Sequence, residues 1–356
     1  LTPQNNWVSL LLDWFDRSKR ELPWREVKPR NPYHVWVSEI MLQQTRTETV
    51  KEYFIRWMQQ FPTVEKLASS EEETVLRAWQ GLGYYSRARN LLKAAREIMI
   101  HEQGKVPSDP EVLRKLPGIG EYTAGAIASM AYGVPVPAVD GNLLRVLARL
   151  YAVRDDVLST SGKKKIGTLA ESVIPSARPG DFNEAMMDLG ADICIPKKPR
   201  CEKCPLMGCC QAYAKGMTEE LPVRRRRQTQ KVYYAACLFA RQEGRVLLHR
   251  CPAKGLLASL WELPTFLAVS EEESRALAAE AAGAPLENPV WSHKHVFTHV
   301  IWYMTAYPVV LRDKQFEERG DYCWAAPEDY RRLPLCGPCE RFFKDIRNGT
   351  ETELFR

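Results

Sequence analysis

Two folds of different class are predicted along this chain, an all-α half followed by a smaller α+β half, and three observations predict them. From Trp7 to about Tyr213, apolar residues recur with a period of 3.6 between Pro and Gly breaks, the pattern of successive helices. Beyond Ala214 the character changes. Lys215 to Lys231 contains Gly216, Pro222 and the run Arg224-Arg225-Arg226-Arg227 with few apolar residues, which is how a surface linker reads. After it, Val232 to Arg241 and Arg245 to Arg250 carry β-branched and aromatic residues around Gln242-Glu243-Gly244, a hairpin signal. The expected domains are therefore residues 1–214, a basic linker at 215–231 and an α+β domain at 232–356.

Taken in order, helices are predicted over Val8 to Phe15, Val35 to Phe61, Glu71 to Gly81, Tyr85 to His101, Glu111 to Leu116 and Leu143 to Ala152. In the last, Leu143, Leu147 and Leu150 share one face, as in a helix packed on a core. The second half adds a strand-like run from His299 to Pro308 and a helix of Ala, Glu and Leu from Glu271 to Ala282.

Composition excludes several classes. The chain has 356 residues, 45% hydrophobic and 26% charged, a balance that fits a soluble globular protein and neither a fibrous nor a disordered one. The charge-free stretch Thr123 to Val139 is broken by Gly125, Gly133, Pro135 and Pro137 and falls short of the roughly 18 residues a membrane span needs. No secretory pattern follows Leu1-Thr2-Pro3, so a cytoplasmic protein is expected. A net charge of +6 tolerates a polyanionic partner without demanding one.

Four features carry chemistry. Cys194, Cys201, Cys204 and Cys210 have six, two and five residues between neighbours, close enough to enclose one soft-metal centre, zinc or an iron-sulfur cluster by spacing alone. Cys209 beside Cys210 leaves the fourth ligand open, and Lys197, Lys198, Arg200 and Lys203 make the loop a plausible phosphate clamp. Leu116-Pro117-Gly118-Ile119-Gly120 before a small-residue helix is either a bare turn or a place where backbone N–H groups meet an anion. Asp140, just before a helical run, is most simply an N-cap. Glu39 lies inside a strongly apolar helix, where a carboxylate is unwelcome unless used or paired.

The hairpin, Asp140 and the four-cysteine loop, in this order, resemble the helix-hairpin-helix DNA glycosylase superfamily with its [4Fe-4S] loop at residues 194–210. Within it, Trp36-Val37-Ser38-Glu39-Ile40-Met41-Leu42-Gln43-Gln44-Thr45 is similar to the signature of the adenine DNA glycosylases of the MutY type. The resemblance implies hydrolysis of an N-glycosidic bond to adenine, which needs an acid on the base side and an anion on the sugar side. Glu39, desolvated among Trp36, Ile40 and Leu42, is expected to favour its protonated form and act as the acid. Asp140 is expected to stay ionised at its helix N-terminus and stabilise the cationic sugar or attack it. Tyr122 stands where bifunctional relatives carry a Schiff-base lysine, which implies a monofunctional enzyme with Tyr122 and Asn142 in support.

The same resemblance implies further residues. Trp24, Arg25, Leu42 and Glu184 match the adenine pocket; Gln44 matches the glutamine inserted into the duplex and Tyr84 the wedge beside the oxidised guanine. Gly118, Gly120, Lys198 and Arg200 fall at expected DNA contacts, and Cys194, Cys201, Cys204 and Cys210 at the cluster ligands.

The C-terminal half resembles a MutT-like, Nudix-fold domain, including Gly255 to Pro264, yet Glu271-Glu272-Glu273-Ser274-Arg275 has the wrong spacing for its magnesium-binding box. A binding module is expected. In it, Phe297-Thr298-His299 matches the loop that recognises 8-oxoguanine, with threonine where serine is usual. Cys336-Gly337-Pro338-Cys339 resembles a redox dithiol by motif alone; a reduced turn is favoured, with a second metal site involving Cys323 as the alternative.

The expected protein is a bacterial, nucleoid-associated monomer that acts on double-stranded DNA bearing 8-oxoguanine:adenine mispairs. The competing readings are a thymine or uracil mismatch glycosylase on the same scaffold, a non-catalytic lesion sensor, and nucleotide hydrolysis by the second domain.

Overall fold

In a computed structural model, residues 6–26, 29–224, 230–297, 299–311, 316, 320–330 and 332–349 are described. Thr298 and Arg225 to Arg227 of the arginine run lie outside the described residues. The chain forms two compact units, one from Leu1–Ser70 and Arg87–Arg226, the other from Glu71–Ser86 and Arg227–Arg356.

The first unit is helical: α1 (Asn6–Ser18), a 3-10 turn at Pro23–Arg25, α2 (Pro32–Leu42), α3 (Thr47–Gln60) and α4 (Val64–Ala68). The next helix, α5 (Glu72–Ala78), belongs to the second unit. The first resumes with α6 (Ser86–His101), α7 (Pro110–Leu113), α8 (Glu121–Tyr132), α9 (Gly141–Leu150), α10 (Thr160–Val173), α11 (Pro179–Asp192) and α12 (Gln211–Ala214).

The single helix expected over Val35 to Phe61 is two. Asn31 caps α2 by accepting from the Tyr33 N–H at 2.9 Å, and Pro32 fits the first turn. Gln43 then leaves helical geometry with ψ 112°, and Gln44 turns left-handed at φ +59°. The expected helix from Glu111 to Leu116 ends earlier, at Leu113, because Lys115 and Leu116 tighten into bonds to residues three back, at 3.1 Å each.

α1, α9 and α11 surround one core: Trp7, Leu11 and Phe15 meet Leu143, Leu147 and Leu150 of α9 and Phe182, Met186 and Leu189 of α11. Fully burying side chains of this size contributes about 1.5–3 kcal/mol each. That packing fixes α9, with Asp140 at its N-cap, and α11, which carries Glu184 and Asp188 along its length.

The second unit carries β1 (Lys231–Gln242), β2 (Arg245–Arg250), β3 (Trp261–Glu262), β4 (Thr265–Ala268), α13 (Glu271–Ala282), β5 (Trp291–Val296), β6 (Val300–Val309), β7 (Tyr322–Ala325), α14 (Pro327–Tyr330) and α15 (Gly337–Gly349). The sheet runs β3-β2-β1-β6-β5, with β4 paired to β1 and β7 to β2. β1 and β6 are parallel and the other pairs antiparallel, so the sheet is mixed. The β1–β2 hairpin turns at Glu243 and Gly244, with φ +49° and +75°, the backbone a tight two-residue hairpin loop needs.

Ser270 caps α13 and Gly283 ends it at φ +64°; Ala278 and Ala282 pack on Ala236, Leu238 and Leu247 of the sheet. Glu271, Glu272 and Glu273 are exposed in the first turn of α13, where they complement the helix dipole. Cys336 and Cys339 are buried free thiols at the start of α15.

Candidate active site

A cavity of about 400 Å³ in the first unit is lined by residues from α2, α8, α9, α11 and the Pro23–Arg25 turn. Trp24, Arg25, Glu39, Leu42, Gln44, Tyr122, Asp140, Asn142 and Glu184 all line it.

Glu39 is 4% exposed, in the middle of α2. Burial pushes its carboxyl up to about 7; the Tyr122 hydrogen bond and the Arg25 charge oppose the rise, while Asp140 and Glu184 add to it. The Tyr122 hydroxyl donates to Glu39 Oε2 and also lies 3.9 Å from Met187 Sδ. Burial and the neighbouring Glu39 and Asp140 charges hold the phenol well above its ordinary value, so Tyr122 is a donor and not a phenolate.

Asp140 is the N-cap of α9. Its Oδ1 accepts from the backbone N–H of Asn142 at 2.9 Å and of Leu143 at 2.7 Å, and its Oδ2 from Asn142 Nδ2 at 2.7 Å. N-cap and active-site placement are therefore one geometry. These bonds favour the carboxylate, yet burial is the larger effect and leaves Asp140 above its ordinary value. The helix-terminal N–H donors therefore work against that rise. Asn142 is fixed in turn, because Arg145 Nη2 donates to its Oδ1 at 2.8 Å while Arg145 Nε donates to the Cys194 carbonyl at 2.7 Å.

On the far wall the pocket is ionic. Glu184 and Asp188, one turn apart on α11, are 4% and 0% exposed. Arg25 Nε lies 3.3 Å from Glu184 Oε1, and Arg30 Nη2 donates to Glu184 Oε2 at 2.7 Å. Asp188 takes Arg25 Nη1 at 2.7 Å and Arg20 Nε at 2.7 Å. Burial works against the Arg25 charge, but Glu184 and Asp188 outweigh it and hold the guanidinium above its ordinary value. Trp24 is buried edge-on to Phe54 at 5.4 Å.

Arg20, which lines the cavity, and Arg30 and Asp188, which brace it, were missed in the sequence. The available signal was Asp188 itself, an acid four residues after Glu184 in an apolar helix.

The remaining expected residues lie elsewhere. Gly118 sits before α8 at φ +78°, where a Cβ would come within 2.7 Å of Asn90 Cβ, so the turn needs glycine. Gly120 caps α8 with extended backbone and open space around it. Lys198 and Arg200 are exposed on the cysteine loop, Lys198 at φ +49°. Tyr84, 48% exposed at φ +48°, belongs to the second unit. In that unit Phe297 packs between His295 and Trp302, at 4.5 and 4.9 Å between centroids, and His299 is exposed.

Cys194, Cys201, Cys204 and Cys210 are half-buried free thiols, whereas Cys209 is exposed. Burial pushes Cys201, Cys204 and Cys210 up, Cys204 to about 12, and the neighbouring cysteines, Cys194 among them, add to the rise at all three. Arg149, 1% exposed, donates to Cys194 Sγ at 3.3 Å. Among the described residues no three His, Cys, Asp or Glu side chains are grouped for a single metal ion. Four thiols on one loop, with the Arg149 guanidinium donating to one of them, are a soft donor set of the kind that holds an iron-sulfur cluster.

Residues 37–175 match the HhH-GPD superfamily base excision DNA repair protein family, and residues 235–345 match the NUDIX domain. The chain is 38% identical over 404 residues to the adenine DNA glycosylase of Rattus norvegicus, covering 96% of this chain and 78% of the relative. To the adenine DNA glycosylase of Buchnera aphidicola subsp. Acyrthosiphon pisum it is 31% identical over 345 residues, covering 96% of this chain and 97% of the relative. Among solved structures, a thermostable thymine-DNA glycosylase aligns with TM-score 0.54 at 29% identity, over 60% of this chain and 97% of its own. Endonuclease III in a non-covalent complex with DNA aligns with TM-score 0.50 at 28% identity, over 59% of this chain and 95% of its own.

Proposed function

The chain belongs to the adenine DNA glycosylase family, and on that premise we propose that it removes undamaged adenine mispaired with 8-oxoguanine, or with guanine, in double-stranded DNA. The observation that carries the reading is the pair of buried carboxyls lining one cavity in different surroundings: Glu39 raised to about 7 beside a phenol donor, and Asp140 held by three N–H donors.

The extruded adenine occupies the cavity, its base toward Arg25 and Glu184. Glu39 gives its proton to adenine N7, so the C1′–N9 bond breaks with its electron pair leaving on a neutral base. The sugar becomes oxocarbenium-like, and the Asp140 carboxylate, kept in place by Asn142, stabilises it or bonds to C1′ until water attacks. Tyr122 offers no amine, so the backbone is left intact and the product is an abasic site.

When bound at Cys194, Cys201, Cys204 and Cys210, a [4Fe-4S] cluster supplies a fixed inorganic core for the 194–210 loop. Lys197, Lys198, Arg200 and Lys203 then face phosphates from that loop. Phe297 to His299 of the second unit read the opposing 8-oxoguanine.

Single-turnover base release from duplexes carrying adenine opposite 8-oxoguanine, guanine or thymine, analysed with and without alkali, tests the proposal. Fast adenine loss opposite 8-oxoguanine, with strand breaks only after alkali, is the expected result. Breaks without alkali would refute the monofunctional assignment, release of thymine or uracil in place of adenine would move the substrate, and binding without release would make the protein a sensor.

A further inference from the structure

The break between α2 and α3 strips the last carbonyls of α2 of helical donors, and one buried side chain replaces them. Arg87, the second residue of α6, is 8% exposed. Its Nη1 donates to the carbonyls of Ile40 at 2.8 Å, Met41 at 3.0 Å and Gln43 at 2.5 Å, and its Nη2 to Thr45 Oγ1 at 3.3 Å. Gln44 lies between the last two of these acceptors, exposed and left-handed at φ +59°. A side-chain-bearing residue keeps that conformation only where its surroundings over-determine it, and here the fork of one guanidinium grips the backbone on one side of Gln44 and the Thr45 side chain on the other.

We propose that Arg87 is a positioning residue for base extrusion: it holds the Gln43–Thr45 turn in the one conformation that presents Gln44 to the duplex. The proposal rests on the reading of Gln44 as the inserted side chain. Arg87 lines no part of the cavity, so its effect falls on opening the duplex and not on bond cleavage. A planar fork matters here: lysine has the charge but cannot reach along four acceptors, and methionine has neither.

The test compares the full-length protein with Arg87→Met, Arg87→Lys and Gln44→Ala under single turnover, on two duplexes with the same 8-oxoguanine:adenine mispair. In one the mispair has paired neighbours; in the other the neighbours are mismatched, so that the adenine is already unstacked. Arg87→Met is expected to lose on the order of tenfold to a hundredfold in rate on the paired duplex and to recover most of it on the unstacked one. Arg87→Lys falls between, and it carries the test if Arg87→Met does not fold. Equal losses on both duplexes would overturn the proposal, because Arg87 would then act on α2 and Glu39 in general. Full activity of both Arg87 variants on the paired duplex would overturn it too. If Gln44→Ala loses nothing on the paired duplex, the insertion reading itself fails and takes the proposal with it. If Gln44→Ala shows the selective loss and the Arg87 variants do not, the insertion reading stands and only the proposal falls.

Discussion

Replacing Glu39 with Gln is expected to destroy turnover and at the same time stabilise the protein at alkaline pH. The carboxyl rises from an ordinary 4.5 to about 7 in the native state, chiefly through burial. At 1.36 kcal/mol for each unit of pH, ionising it in place costs about 3 kcal/mol more than in the unfolded chain. Between about pH 4.5 and 7 the native protein therefore holds a proton that the unfolded chain has released, and stability falls as pH rises through that window. Glutamine is neutral throughout and can still accept from Tyr122. Worked through the two pKa values, the stability of Glu39→Gln relative to the parent should grow by about 2.5 kcal/mol between about pH 5 and about pH 8. Urea denaturation of both proteins at the two pH values measures it. A difference that does not change with pH, or a variant less stable at the alkaline end, would refute the buried-acid reasoning. The rate tells the same story in reverse, because adenine release by the parent should fall above about pH 7 as the acid loses its proton.

Asp140→Asn keeps an N-cap side chain of equal rank, so its unfolding free energy should stay within about 1 kcal/mol of the parent while single-turnover base release drops by about 10²-fold or more. Cys210→Ser should lose the visible absorbance of the cluster and most soluble yield, whereas Cys209→Ser, at an exposed position, should keep both; absorbance spectra of the two purified variants decide. Asp188→Asn leaves Arg20 and Arg25 facing each other without their shared anion, and should destabilise the protein by about 3–5 kcal/mol in urea denaturation and weaken binding of the mispair.

What was legible in the sequence was local. The helix from Glu271 to Ala282 was readable from its run of Ala, Glu and Leu, and the hairpin because Glu243-Gly244 suits a left-handed turn. The Glu39 anomaly in an apolar helix pointed to a residue that lines the cavity, since a carboxylate among Trp36 and Ile40 needs a reason. What was hidden depends on partners distant in the chain. The break at Gln43 to Arg46 has no Gly or Pro to announce it; the capping donor that compensates it is Arg87, more than 40 residues away. Arg20 meets Asp188 across 168 positions, so the acids of the ionic wall leave a local trace in α11 but their arginine partners do not. The cap on Asp140 was legible from its place before a helical run, whereas its burial, which raises the carboxyl, depends on elements distant in the chain.

The second unit is built from two stretches of chain, and that has a consequence for timing. Tyr85, just ahead of α6, donates its hydroxyl to the carbonyl of Leu335, 250 residues later. On a ribosome adding about 5–20 residues per second, that stretch of chain takes on the order of 10–50 s to make. The helices on either side of residues 71–86 can be finished by residue 226, so this segment waits, already synthesised, for the stretch beyond residue 227 that completes its unit. Its assembly follows the synthesis of Leu335, and the second unit becomes whole only when that later stretch of chain returns to residues made some 250 positions earlier.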